Sequence, residues 1–461
     1  MSGVQLSPGL AAQTVWPVDR IKDHVWKIGS GVTPSGGAAS YLDIGIPLLR
    51  SQNVHFDGLR LDDVAYIAED THEEMSSSKL HARDVLLNIT GASIGRCAFV
   101  PDDFGEGNVN QHVCIIRPAA KLNYKFLTYC LSAPWGQDQV FSSFTGASRQ
   151  GLGQRDLGEI QVPLPPLLEQ SRIVAYLDAS CEAIDAAVAA KRHQLETLDA
   201  LRKSAAHNVL SEGLRPGLPL KDSGIESIGV IPAHWDVKQI RYACEVNYGI
   251  TLQLEKGQSA GDGVRILTVS NLTIDGNLDL EDEYYIDPAE LTKADYLRRG
   301  DLLFNWRNGS QYHVGKTAFF DIEGEVAHVS FLLRIRCGRH MYPFFMRSYL
   351  GVLKDAGFFA GAKDKVNKTF NSTELKRLRV VIPPMDEQIE VCREIERRTK
   401  ECNDVKATIV SQIATLTAYR KSLIHECVTG QRRVTDADVV RSQLSEDTGR
   451  LKLEQSEKTD D

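Results

Sequence analysis

Four short stretches of this chain combine side chains that read nucleic-acid bases with side chains that hold phosphates. Two lie early: Arg50-Ser51-Gln52-Asn53, and Thr145 to Gly151, which contains Ser148, Arg149 and Gln150. Two lie late: Asn305 to Tyr312, with Arg307, Asn308, Gln311 and Tyr312, and Lys363 to Lys368, with Lys363, Lys365, Asn367 and Lys368. Arg, Gln and Asn present paired donors and acceptors to base edges, while basic and hydroxyl groups bond phosphate oxygens. The Thr145 and Lys363 stretches are placed alike, each about twenty residues ahead of a Leu-Pro-Pro or Ile-Pro-Pro tripeptide. They head the set for that reason. The plain alternative at each stretch is a turn or a solvated charged face. Asn53 and Asn271 sit at matching places before Asp-Gly turns, which suits a shared Asx turn better than base reading, and they are set aside.

Catalytic chemistry is missing from the text. No Asn-Pro-Pro or Asp-Pro-Pro followed by Tyr or Phe occurs, the element that would grip a flipped adenine. No glycine-rich strand–turn–helix segment is present for a nucleotide-like cofactor. NGSQYHVGKT resembles a phosphate loop, but five residues separate Gly309 from Gly315 where that cradle needs four. Pro101-Asp102 could begin a nuclease metal site, yet the first downstream Glu-x-Lys is Glu374-Leu375-Lys376, far along the chain. Neither is retained.

Two long helices must position whatever the loops do. After Pro166 the chain runs more than forty residues without Pro or Gly. Val174, Leu177, Cys181, Ile184, Val188, Leu195, Leu198, Ala205 and Val209 follow a 4-3-4-3 rhythm, broken at Lys191 and Arg202. That narrow seam is a coiled-coil pattern. It recurs from Ile382, at a constant offset of 218: Glu169-Gln170 meets Glu387-Gln388, Arg202-Lys203-Ser204 meets Arg420-Lys421-Ser422, and His207 meets His425. Glu-Gln near each start and Arg-Lys near each end suit the helix dipole.

The text between the helices is duplicated too. WDVKQIRYACEVNYGIT echoes WPVDRIKDHVWKIGSGVT, DLLFN from Asp301 echoes DVLLN from Asp84, and VGKTAFF echoes IGRCAFV after an insertion at Gln311-Tyr312-His313. IPLLRSQNVHF, DVLLNITG, GRCAFV and HVCIIRP read as strands, and KLNYKFLTYCLS as a short helix. The expected organisation is a lead-in at 1–14, a first mixed α/β domain at 15–163, and a helix at 164–212. An irregular Gly/Pro-rich linker at 213–233, a second domain at 234–381, a second helix at 382–430 and a polar, disordered tail at 431–461 follow. The fold class is α+β: two mixed α/β recognition domains separated by two long antiparallel coiled-coil helices, as a pseudo-twofold tandem duplication. A rod of roughly 44 residues would span on the order of 65 Å, fixing two reading heads apart. Duplex DNA is a regular lattice that rewards a fixed separation.

Composition sets bounds. At 461 residues, 42% hydrophobic and 25% charged, the chain has material for more than one core. No apolar run approaches a membrane span and the N-terminus lacks a signal pattern, so a cytosolic protein is expected. Nine scattered cysteines, without a C-x-x-C pair, indicate neither a zinc site nor a disulfide framework. The net charge of −8 argues against nucleic acid on average, but a basic groove coexists with acidic residues elsewhere.

The repeated order of variable domain and long helix, the L-P-P-x-x-E-Q lead, R-K-S-x-x-H near each helix end, and G-V-I-P-A-H-W before the second half resemble one family. It is the specificity subunit of type I restriction–modification enzymes. The resemblance covers nearly the whole chain except the termini. It implies two target-recognition domains, each reading half of a split sequence in double-stranded DNA, and helices that bind two methyltransferase subunits, which motor–nuclease subunits then join. It further implies adenine-N6 methylation from S-adenosylmethionine, ATP- and Mg2+-dependent cleavage, and a place in phage defence in a prokaryotic cytoplasm. Both chemistries reside in partner chains, so this chain would bind no cofactor. The competing readings are a structural coiled-coil adaptor with protein-binding end domains, and a self-contained nuclease or methyltransferase. The basic loops speak against the first and the missing motifs against the second.

Overall fold

The computed structural model describes residues 14–142, 151–251, 263–308, 313–360 and 368–444. It divides into two compact units, 1–192 with 410–461, and 193–409. Each unit repeats one topology. In the first, a four-stranded antiparallel sheet runs in the order Val25–Ser30, Val113–Pro118, Val85–Asn88, Cys97–Phe99. In the second the order is Cys244–Tyr248, Leu332–Cys337, Leu302–Asn305, Thr317–Phe319. A smaller mixed sheet accompanies each: Ile46–Leu49 pairs antiparallel with Ala65–Ile67 and parallel with Asn108–Val109. Val264–Leu267 does the same with Tyr285–Ile286 and Val326–His328. The duplication read from the text is a duplication of topology.

Alternation along the central strands explains the layering. Val85 and Leu87 face one apolar cluster while Leu86 faces another; Leu302 and Phe304 are parted from Leu303 in the same way. Period two on a pleated strand buried on both faces makes each strand serve two cores. The buried Asp84 and Asp301 carboxylates at the starts of these strands are gripped by Arg117 (2.7 Å) and Arg336 (2.6 Å) from the neighbouring strand. One ion pair thus registers the same two strands in both units.

The long helices run Leu167–Glu212 and Met385–Thr429. In the first unit the early part of one lies beside the late part of the other. Val174, Leu177, Cys181, Ile184 and Val188 are buried in one cluster with Leu423, Ile424, Cys427 and Val428. Leu195, Leu198 and Ala205 are only half-buried. The chain's first described residues join the same place, with Val15 N–H donating to the Thr429 carbonyl at 3.0 Å.

Three expectations change. The Glu-Gln pairs are more than dipole complements, since Gln170 and Gln388 are 1% and 0% exposed. Gln170 accepts from Asn123 N–H (2.8 Å) and donates to the Lys121 and Pro165 carbonyls. Gln388 accepts from Tyr342 N–H (2.8 Å) and donates to the His340 and Pro383 carbonyls. Asn123 and Tyr342 are the N-caps of the helices Tyr124–Ser132 and Pro343–Asp355. Each glutamine therefore ties a long helix to a short helix of its own unit, because a buried amide must find partners for its donors and acceptor.

The passage expected as an irregular linker contains a hairpin, Leu220–Asp222 with Val230–Pro232. Ile225, Ile228 and Ile231 recur every third residue and are buried in the second unit's core, which the Gly/Pro-rich composition masked. The tail expected to be disordered is ordered over 431–444. Val434 is buried in the first unit's core, Asp436 pairs with Arg172 at 2.6 Å, and residues 436–444 are helical. Residues 445–461 lie outside the described residues.

Candidate nucleic-acid interface

Sequence-distant turns converge at one place in each unit. In the first, the strand Val25–Ser30 ends, and Gly31 N–H donates to the Val113 carbonyl at 3.1 Å. A β-carbon on Gly31 would lie 1.9 Å from the Val109 carbonyl oxygen; on Gly249, its counterpart, 2.1 Å from the His328 oxygen. Only glycine permits that approach. The Asn110–His112 turn is held by Asn110 N–H on the Leu49 carbonyl and Ile89 N–H on the His112 carbonyl, both 3.0 Å. Buried Asn88 donates to the Ser51 carbonyl at 2.7 Å, bringing in the 50–53 loop. A bridge between Thr90 and Gly151 adds the segment that follows the 145–150 stretch.

The second unit uses the same frame. Ile250 bridges to Val329, Ser330 N–H donates to the Ile250 carbonyl at 2.7 Å, and Val329 N–H to the Leu267 carbonyl at 3.0 Å. Arg307–Asn308 pairs with Lys368–Thr369 where the first unit has the Thr90–Gly151 bridge. A cavity of about 300 Å³ opens between Ile250, the 268–270 loop and the Val329–Phe331 turn.

Frame and surface diverge in chemistry. The first unit carries a hydrogen-bonding row: Thr33 Oγ1 donates to the side-chain Oε1 of Gln111, and Gln111 Nε2 to His112 Nε2 at 3.0 Å. That leaves the proton on His112 Nδ1, which donates to Thr90 Oγ1 at 2.6 Å. The second carries aromatic and cationic groups. Arg307 sits over the Phe331 ring, 5.8 Å from its centroid. Trp306 packs edge-on to Tyr248 and donates to the Ser330 carbonyl at 2.7 Å. The hydroxyls of Thr268 and Ser270, 2.8 Å apart, line the cavity. Phe331, 46% exposed, lines the same cavity.

Behind the turn, His328 is 1% exposed and neither ring nitrogen has a hydrogen-bond partner among the described residues. Burial, with Arg334 adding to it, holds its pKa down at about 3, so the ring is neutral.

The candidates from the sequence fall as follows. Arg50 and Gln52 are at the interface, but both are engaged by Asp63: Arg50 Nη2 donates to its backbone carbonyl at 2.9 Å and Gln52 Nε2 to its carboxylate. Arg307 is exposed at the interface. Asn308 and Lys368 are backbone register partners in the short ladder beside it. Ser148, Arg149, Gln150, Gln311, Tyr312, Lys363, Lys365 and Asn367 lie outside the described residues. Asn53 and Asn271 are turn formers as read. Asn53 accepts from Arg50 N–H and donates to the Arg60 carbonyl; Asn271 accepts from Thr268 N–H and donates to the Asp279 and Asp282 carbonyls.

Missed in the sequence were Thr90, Gln111, His112, Ser330 and Phe331. The signal was available: when the two halves are superposed, His112 and Phe331 precede the matching runs VCIIR and LLRIR. For a metal, the described residues offer one close group, Glu69, His72 and Glu73, with ligand atoms within 4.8 Å. Lys79 already neutralises Glu73 there, and His72 Nδ1 is taken by Asn108.

Residues 38–197 match the family described as the Type I restriction modification DNA specificity domain. The chain is 22% identical over 424 residues to the Type I restriction enzyme EcoKI specificity subunit of Escherichia coli K12, covering 88% of each. It is 28% identical over 209 residues to the putative type I restriction enzyme MjaX specificity subunit of Methanocaldococcus jannaschii, 44% of this chain and 47% of that one. A chain from a structure of complex assembly and conformational transition of the type I R-M system superposes with TM-score 0.69 at 17% identity, over 92% of this chain and 99% of that chain. The HsdS subunit from Thermoanaerobacter tengcongensis gives TM-score 0.52 at 17% identity, over 94% and 99%. These structural likenesses concern the fold.

Proposed function

We propose that this chain, which belongs to the specificity-subunit family of type I restriction–modification enzymes, reads a split DNA target, one half-site with each unit. It is not catalytic itself. It positions two methyltransferase subunits and the motor–nuclease subunits on the target. S-adenosylmethionine, ATP and Mg2+ serve those partners. The observation that carries the reading is the pair of convergent turn surfaces, identical in frame and different in side chains. Two heads on one scaffold need such a difference to read two sequences; an adaptor docking like partners does not.

On this reading the recognition domains are 15–163 and 234–381. Base and phosphate contacts come from Arg50, Gln52, Ser148, Arg149 and Gln150 in the first, and from Arg307, Asn308, Gln311, Tyr312, Lys363, Lys365, Asn367 and Lys368 in the second. Arg307, exposed beside the Lys368 ladder, leads that set. The described helices offer no segment long and apolar enough to cross a membrane.

The test is long-read mapping of N6-methyladenine in cells expressing this chain with its methyltransferase partner. A split motif that disappears when the chain is deleted is expected, and exchange of residues 15–161 for another recognition domain should rewrite one half-site alone. Methylation that persists without the chain, or a change in both half-sites, refutes the reading.

A further inference from the structure

We propose that one equivalent point of the two frames, occupied by the Thr90–His112–Gln111 row in the first unit and by Arg307 with Phe331 in the second, assigns different bases to the two half-sites. This rests on the DNA-reading function proposed above and deepens it.

The pairs occupy the same point of the frame. Thr90 and Arg307 each follow by two residues a fully buried strand asparagine, Asn88 and Asn305, and each forms the backbone bridge to Gly151 or Thr369. His112 and Phe331 each end a turn whose backbone is fixed on both sides: Ile89 N–H holds the His112 carbonyl, while Trp306 Nε1 and Ile250 hold Ser330, next to Phe331. A rigid backbone with variable side chains is what base reading demands, because bidentate contacts tolerate little misplacement.

The side chains then differ in what they can bond. The Arg307 guanidinium presents a planar fork of donors and is seated over the ring of Phe331. Ring support holds a guanidinium in one plane at a low cost in rotamer freedom. Such a fork matches the O6 and N7 acceptors of guanine in the major groove. The Thr90–His112–Gln111 row has no fixed cation. Its outermost group, the exposed Gln111 amide, offers one donor and one acceptor, the complement of adenine N7 and N6. The structure thus assigns a G·C pair in the second unit's half-site to Arg307 and an A·T pair in the first unit's half-site to Gln111. His112 and Phe331 act as positioning residues behind them.

The experiment uses the full chain assembled with its methyltransferase subunits, and duplexes carrying every single-base change in both half-sites. The double variant Arg307→Thr with Phe331→His grafts the first unit's pair onto the second. Its expected result is loss of the guanine preference at one position of the second half-site, a fall in discrimination of roughly 5- to 150-fold, with first-half-site preferences unchanged. Gln111→Ala should do the same for adenine at one position of the first. Unchanged preference at every second-half-site position, or equal weakening against all duplexes, overturns the assignment. Should the graft unfold, Arg307→Lys keeps the charge and loses the fork. It should relax discrimination while retaining affinity for unrelated duplex, and retained discrimination overturns the proposal. A wild-type complex that shows no split target refutes the function itself, a distinct failure.

Discussion

Replacing Gln388 with leucine keeps the volume of a side chain that is 0% exposed and removes its three hydrogen bonds. Tyr342 N–H and the Pro383 carbonyl are left without a partner, whereas the His340 carbonyl, on an exposed residue, is regained by water. At about 1 kcal/mol per bond, with one partly recovered, the loss is about 2–3 kcal/mol. For a unit of this size each kcal/mol moves the midpoint by about 2–4 °C, so Gln388→Leu should lower the melting of the second unit by about 5–10 °C. Gln170→Leu should do so for the first. Amide hydrogen exchange followed by mass spectrometry separates the two. Protection should fall in the helix Pro343–Asp355 for the Gln388 variant and in Tyr124–Ser132 for the Gln170 variant. A loss under 1 kcal/mol, or exchange that accelerates equally in both units, would refute the view that each glutamine pins a long helix to its own unit.

Asp301→Asn leaves Arg336 half-buried without its carboxylate and should cost about 2–3 kcal/mol in urea unfolding, below the full penalty of a buried pair because Arg336 retains some solvent. Arg83→Ala, which breaks the exposed pair with Asp102, should leave the urea midpoint essentially where it was, because solvent screens such a pair. His328 is held neutral with a pKa of about 3, below the ordinary 6.5, so the unfolded chain binds its proton first as pH falls. The stability this residue permits is complete above pH 6.5 and declines toward pH 3, by about 2 kcal/mol at pH 5. In His328→Val, which installs the residue found at the matching Val109, denaturant midpoints should lose that part of their acid slope. Inserting matched helical turns between Lys191 and Leu198 and between Ile409 and Leu416 should lengthen the spacer of the methylated motif and leave both half-sites as they were; an altered half-site would contradict the helices' role as spacers.

Much was legible in the chain itself, because repetition and periodicity are properties of sequence. The offset of 218 and the 4-3-4-3 seam gave the duplication, the long helices and the strands DVLLN and DLLFN with their partners. Asn53 and Asn271 were readable as turn formers because their amides are satisfied locally, accepting from the N–H three residues back and donating to carbonyls about ten residues on. What the sequence could not yield were facts made by long-range contact. Gln170 looks like any first-turn polar residue until the Asn123 cap, forty-seven positions away, is brought against it. Nothing local to Arg50 announces Asp63, thirteen positions on, whose backbone carbonyl accepts from its guanidinium. Ile225, Ile228 and Ile231 read as linker until the second core receives them.

The interface shows the division most plainly. The sequence alone determined that two equivalent heads exist and that their loops differ, since both are comparisons of text with text. Only tertiary structure decided which differences share one place. Thr90 and His112 are twenty-two residues apart, yet they meet in a hydrogen bond. Arg307 finds the Phe331 ring through a strand pairing and a crossover that no local pattern encodes. Side-chain type is written in the chain; adjacency is set by sheet register and by the glycines at 31 and 249 that let the turns close.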